Sequence, residues 1–127
     1  PVKITAFDQD YEGMSDERQA DDLRRFYRAC FAHPAVHGIY MSGFWEGAHP
    51  RTNAALWRAD WTIKPNGQAY VDLMTKDFAS EGKATASADG TVKFRGFYGL
   101  YQITAGGNIW VVDLTSRNRR AKVKSSR

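Results

Sequence analysis

Gly38-Ile39-Tyr40-Met41-Ser42-Gly43-Phe44 is a run of mostly apolar residues with little alternation between faces. A strand with one wet side alternates apolar and polar residues, so this run reads as a strand buried on both faces, as in parallel sheets. Upstream of it, Ser15 is placed to cap a helix. Asp16 and Glu17 fall in its first turn, where the positive end of the helix dipole favours acids. Ala20, Leu23, Phe26, Tyr27, Cys30 and Phe31 follow at spacings that put them on one helical face. His33-Pro34 ends the helix, because a residue before proline avoids helical angles. Earlier still, Val2-Lys3-Ile4-Thr5-Ala6-Phe7 is rich in β-branched residues and reads as a strand, followed by a loop from Asp8 to Met14. Strand, helix and strand in this order predict a βαβ unit with parallel strands.

Downstream, Trp45 to Ile63 is a long connection that holds three tryptophans. Connections of that length are functional or disordered, and the tryptophans favour function. Trp57 and Trp61 are expected to pack between this loop and the next helix. Pro65 suits the first turn of that helix, whose apolar face is Ala69, Tyr70, Leu73 and Met74 and whose end falls between Phe78 and Gly82. Beyond Gly82 the character changes. Lys83–Ala88, Thr91–Arg95, Gly99–Thr104 and Ile109–Thr115 read as short strands, with turns at Asp89-Gly90 and Ala105-Gly106-Gly107-Asn108. Residues 1–80 are therefore expected to form an α/β region, and residues 81–127 a small antiparallel β domain, sandwich or open sheet, with Tyr98, Tyr101 and Trp110 in its core.

Hydrophobic residues make up 43% and charged residues 25%, a globular balance that argues against disorder throughout. The net charge of +4 is concentrated at the end of the chain, in Arg117, Arg119, Arg120, Lys122, Lys124 and Arg127. No aromatic accompanies these residues, so the stacking half of single-strand nucleic-acid recognition is missing, and a solvated terminus is expected. Cys30 is the only cysteine and is expected as a small buried hydrophobe. No apolar run is long enough to span a membrane. His33 and His37 flank Pro34 without further ligands nearby, so no metal site is expected, nor any cofactor. The start at Pro1, with no initiator methionine or leader, is expected of a piece of something longer.

Several ordered segments carry a family resemblance. Ile4-Thr5-Ala6-Phe7-Asp8, His33 through Gly47 (ending in Gly43-Phe44-Trp45-Glu46-Gly47), Ala54-Ala55-Leu56-Trp57-Arg58-Ala59-Asp60-Trp61 and Lys64-Pro65-Asn66-Gly67-Gln68-Ala69-Tyr70 together resemble glycoside hydrolase family 10 over about the first eighty residues. The resemblance implies an endo-1,4-β-xylanase, secreted or extracellular, built as a (β/α)₈ (TIM) barrel. The chain would supply the seventh and eighth strands with their helices. A full barrel takes roughly 200 to 400 residues, so the rest would come in cis or from another chain.

Retaining glycosidases use two carboxyl groups roughly 5 to 5.5 Å apart, one as acid/base and one as nucleophile. The resemblance puts the nucleophilic Glu at the end of the seventh strand, where this sequence has Ala6, and the acid/base on the fourth strand, outside the chain. A methyl group cannot attack an anomeric carbon. Asp8 matches a family position expected to orient its neighbours by hydrogen bonds, while Asp8 and Glu12 lie too far along the strand to replace the nucleophile. Ser42 stands where the family has a sugar-contacting Trp, and Pro50 where it has an aromatic. Site-directed exchange and natural decay both account for Ala6.

Trp45 is expected against a sugar ring. Glu46, His49 and Arg51 are expected either to reach sugar hydroxyls or to order the loop, with a surface Glu46–Arg51 pair as the structural alternative. Three functional readings follow. The first is an inactive fragment of a xylan-degrading hydrolase, the second a non-catalytic module binding xylan or a related β-1,4-linked polysaccharide, and the third a piece that assembles with other chains. No nucleic-acid or membrane partner is expected.

Overall fold

The computed structural model describes residues 1–120 together with Lys122 and Val123. The chain divides into two compact units, Pro1–Phe78 and Ala79–Arg127.

In the first unit, β1 (Val2–Ile4) leads through α1 (Asp16–Ala32) to β2 (Val36–Ile39). The strands run parallel, pairing Val2 with Val36, Lys3 with Gly38 and Ile4 with Ile39 across an irregularity after Val2. Both are shorter than the sequence implies. The pairing nevertheless continues beyond them, through Tyr40 N–H to Ile4 O (2.8 Å) and Phe7 N–H to Tyr40 O (3.0 Å). The two strands form a sheet by themselves, and Val2 and Tyr40 are each 52% exposed.

Ser15 caps α1 as its sequence implies, its Oγ accepting from Arg18 N–H at 3.2 Å. The helix ends at Ala32, with His33 in extended conformation before Pro34. Ala20, Leu23, Tyr27 and Cys30 are buried along its inner face. Phe26 stacks on Phe7 at 4.4 Å between ring centroids, and Phe31 stacks on Phe78 at 4.0 Å. Burial pushes the Cys30 thiol up from its usual pKa and also raises the Tyr27 phenol.

A turn of 3-10 helix, Thr52–Ala54, interrupts the long connection before α2 (Pro65–Asp72), which runs on into a π-helical turn, Leu73–Asp77. Pro65 sits in the first turn of α2. The core joins Ala20, Leu23 and Tyr27 of α1 to Leu56, Ala69 and Leu73. The Lys64-Pro65-Asn66 segment is bound into this core. Lys64 Nζ donates to Asn53 O (2.9 Å), and Asn66 Nδ2 donates to Ala55 O (3.2 Å). Both side chains are buried, so these bonds offset the desolvation of their polar ends.

The second unit contains β3 (Gly99–Ala105) and β4 (Asn108–Leu114), an antiparallel hairpin with full register from Gly99–Leu114 to Ala105–Asn108. Its turn residues Gly106 and Gly107 both have positive φ, 55° and 78°, as a two-residue hairpin turn requires. Tyr101, Ile103, Trp110 and Val112 share the half-buried face, whereas Tyr98 is 62% exposed and lies outside it.

Four strands were implied, and the first two are absent. The Asp89-Gly90 turn forms, with Ser87 N–H donating to Thr91 O (3.0 Å) and Thr91 N–H to Asp89 Oδ1 (2.9 Å), but no ladder grows from it. Ala84, Thr85, Ala86 and Ser87 offer too little apolar surface to hold Val92 and Phe94 in register, and residues 81–95 are all exposed. Arg117, Arg119, Arg120 and Lys122 are exposed, and Lys124 and Arg127 lie outside the described residues.

Candidate functional site

Beyond the C-terminal ends of β1 and β2 the chain gathers a polar cluster. Asp8 Oδ2 accepts from Ser42 Oγ at 2.6 Å, and Asp8 Oδ1 accepts from Ser42 N–H at 3.3 Å. The bond from the Ser42 hydroxyl, supported by the Ser42 amide and by the charge of Arg51, holds the Asp8 carboxyl below its ordinary pKa. Asp8 is thus tied to the second strand's extension, and Ser42 is a hydrogen-bond donor where the family resemblance implies an indole.

His49 is buried, its Nδ1 accepting from Arg51 N–H at 2.9 Å. That bond leaves the ring proton on Nε2 in the neutral tautomer. Nε2 lies 3.4 Å from Asp8 Oδ1, yet among the described residues it meets hydrogen-bond geometry with no acceptor. The contact is therefore one of proximity rather than a formed bond. Arg51 is exposed and contributes its backbone to His49. Ala6 is exposed, as is Glu12.

Glu46 serves a different part of the loop. Its Oε2 accepts from Ala59 N–H at 3.1 Å, and its Oε1 lies 3.7 Å from the buried Lys64 Nζ. The expected alternative of a Glu46–Arg51 surface pair is replaced by a Glu46–Lys64 pair, because Lys64 reaches into the loop from the start of α2.

The aromatic residues form a layered group. Trp45 is half-buried, and its Nε1 donates to Ala59 O at 3.2 Å. Gly47 lies so close to it that a methyl there would fall 2.2 to 2.5 Å from three atoms of the Trp45 six-membered ring. Trp61 stacks on Trp45 at 5.0 Å and 11°. Phe44 meets Trp57 edge-on at 5.9 Å. Trp57 packs against the core as expected, whereas Trp61 is 59% exposed and does not pack beneath the helix.

Sequence reasoning missed Trp61 as a surface ring. Its signal was the Arg58-Ala59-Asp60-Trp61-Thr62 turn between apolar Trp57 and Ile63, a hairpin pattern. The structure therefore brings Asp8, Ser42 and His49 together, sets Glu46 with Lys64, and pairs Trp45 with Trp61. His33 Nδ1 accepts from Ala35 N–H (3.2 Å), and His37 is exposed. Among the described residues, no helix is long and apolar enough to cross a membrane.

With this geometry in view, the comparisons with known proteins give a class of relative. No family model matches the sequence. Over 82% of its length the chain is 37% identical to part of the anti-sigma-I factor RsgI6 of Acetivibrio thermocellus. It is also 32% and 29% identical, over 81% of its length, to parts of endo-1,4-beta-xylanases 1 and 2 of Arabidopsis thaliana. The chain spans 13%, 11% and 9% of these relatives' own lengths. The matches run over 103 to 105 residues, longer than the first unit, so each extends into the second. The chain is therefore a distant relative of a segment of xylanases.

Proposed function

We propose that this chain is the strand-seven and strand-eight portion of a family 10-like (β/α)₈ barrel that recognises xylan or a related β-1,4-linked glycan, and that it does not cleave it. The observation that carries this reading is the parallel β1–α1–β2 unit, with Ala6 just beyond β1 and Asp8 hydrogen-bonded to Ser42 just beyond β2. In parallel α/β folds, active sites gather at the C-terminal ends of the strands. Here that end carries a methyl group in place of an attacking carboxylate.

A two-stranded parallel sheet exposes unpaired strand edges, which native proteins cover. Further barrel strands, in cis or from another chain, would cover them. The likeness to segments of xylanases supports the glycan class.

The chemistry follows from what is present. Asp8, held ionised by Ser42, can accept from a sugar hydroxyl or hold the loop beyond β2 in place. The Trp45 group offers flat apolar surface to a pyranose. The side chain at position 6 is a methyl group and carries no oxygen with which to attack.

The test is a pair of assays on the purified chain. Soluble xylan in a native gel should retard it, while incubation with xylan should release no reducing ends. Ala6→Glu should leave the second result unchanged, because the acid/base partner belongs to another strand. Turnover by the unmodified chain would overturn the non-catalytic reading, and unaltered migration in xylan would overturn glycan recognition.

A further inference from the structure

Of the stacked Trp45–Trp61 pair, the ring that is open to solvent is not the one the family resemblance singled out. Trp61 closes a tight hairpin turn, its N–H donating to Arg58 O (2.9 Å), while Arg58 N–H donates to Thr62 O (2.8 Å) and Trp57 bridges Ile63. This is a turn followed by a left-handed residue, a bulge position that favours glycine. Trp61 occupies it at φ 67°, as the sole non-glycine residue with positive φ among the described residues. For a bulky side chain that conformation is strained, and strain of this kind gathers at functional sites.

We infer that Trp61, backed by Trp45, is the ring on which a pyranose of the bound β-1,4-linked glycan stacks, and that Trp45 is the positioning residue beneath it. The inference rests on the glycan-recognition reading above and assigns its contact residue. Trp45 has little surface left to offer, since Trp61 covers it at 11° and Gly47 crowds its six-membered ring. Trp61 is the more open of the two, at 59% exposure.

The turn that carries Trp61 is fixed on three sides, so little freedom is lost when a sugar binds. Glu46 Oε2 accepts from Ala59 N–H, Trp45 Nε1 donates to Ala59 O, and Asp60 Oδ1 accepts from both the amide (2.9 Å) and the hydroxyl (2.7 Å) of Thr62. The Thr62 bonds hold the Asp60 carboxyl below its ordinary pKa. An ionised acceptor therefore stands next in sequence to an open aromatic plane. That combination matches a pyranose, whose C–H face is apolar and whose rim carries hydroxyl donors.

The experiment is affinity electrophoresis of the 127-residue chain in gels with and without soluble xylan. It compares the unmodified protein with Trp61→Gly and Trp61→Asn, both suited to the left-handed position. Each variant's helical circular dichroism is recorded alongside. Retardation of the unmodified chain, weakened about tenfold or more in a variant that keeps its helical signal, is the expected result. Retardation that survives in either folded variant would overturn the assignment of Trp61 and leave glycan recognition standing. Absence of retardation in the unmodified chain would overturn both.

Discussion

The two units differ in what holds them. Residues 1–78 enclose Leu23, Leu56 and Leu73, each 1% exposed, with Tyr27 and Ala69 beside them. Among the described residues of 79–127, none is buried. Their hairpin has complete register and correct turn glycines, but its outer face leaves Leu100 at 76%, Val111 at 71% and Ile109 at 63% exposure. The contrast separates two sources of order. Backbone register in the hairpin is set by turn chemistry and alternation, whereas stability in the first unit comes from apolar area removed from water. An isolated two-stranded hairpin is marginal in water however good its register.

That comparison can be broken most forcefully in the core. Leu23→Ala should lower the stability of the first unit by about 2 to 5 kcal/mol, measured by denaturant unfolding of the α1 helical signal. A loss below about 1 kcal/mol would mean that the α1–α2 core is not the source of order claimed for it.

A smaller effect is expected at the polar cluster. Ser42→Ala removes the main cause of the depressed Asp8 pKa and should cost about 1 kcal/mol at pH 7. The sign follows from linkage. A depressed carboxylate contributes stability above its unfolded pKa, and that contribution is lost as pH falls through the folded value. The gap between Ser42→Ala and the unmodified chain should therefore narrow below about pH 4, seen in thermal midpoints at pH 7 and pH 3. A gap that is the same at both pH values would remove Asp8 from the explanation.

The smallest effect belongs to the hairpin's outer face. Leu100→Thr should change stability by no more than about 0.5 kcal/mol, because this side chain is already in water. A loss of several kcal/mol in thermal unfolding would show that the face is covered.

Much of the first unit was legible because its signals are local. Ser15, the spacing of Ala20, Leu23 and Tyr27, and His33-Pro34 fixed α1 to its ends, and Pro65 fixed the start of α2. Gly38–Phe44 marked the second strand, but its bounds shifted to Val36–Ile39, since strand ends depend on which partner groups are in reach. Lys83–Ala88 was expected as a short strand beside the Asp89-Gly90 turn and is not one, because a turn alone does not hold two strands together without apolar surface between them.

At the site, Asp8 and Ser42 were noted separately, but their bond crosses 34 positions of sequence and needed the parallel pairing to form. Trp61, four positions from Trp57, was read with it as packing between the loop and the next helix. The left-handed bulge that turns it outward leaves no mark in a periodicity.

The central claim is that glycan contact belongs to the first unit, at Trp61 backed by Trp45. Titrating the ¹⁵N-labelled chain with xylohexaose, and following the indole N–H signals, tests it most directly. The Trp61 and Trp45 signals should move while that of Trp110, in the hairpin, stays fixed. Movement of Trp110 with Trp45 and Trp61 unmoved would contradict it.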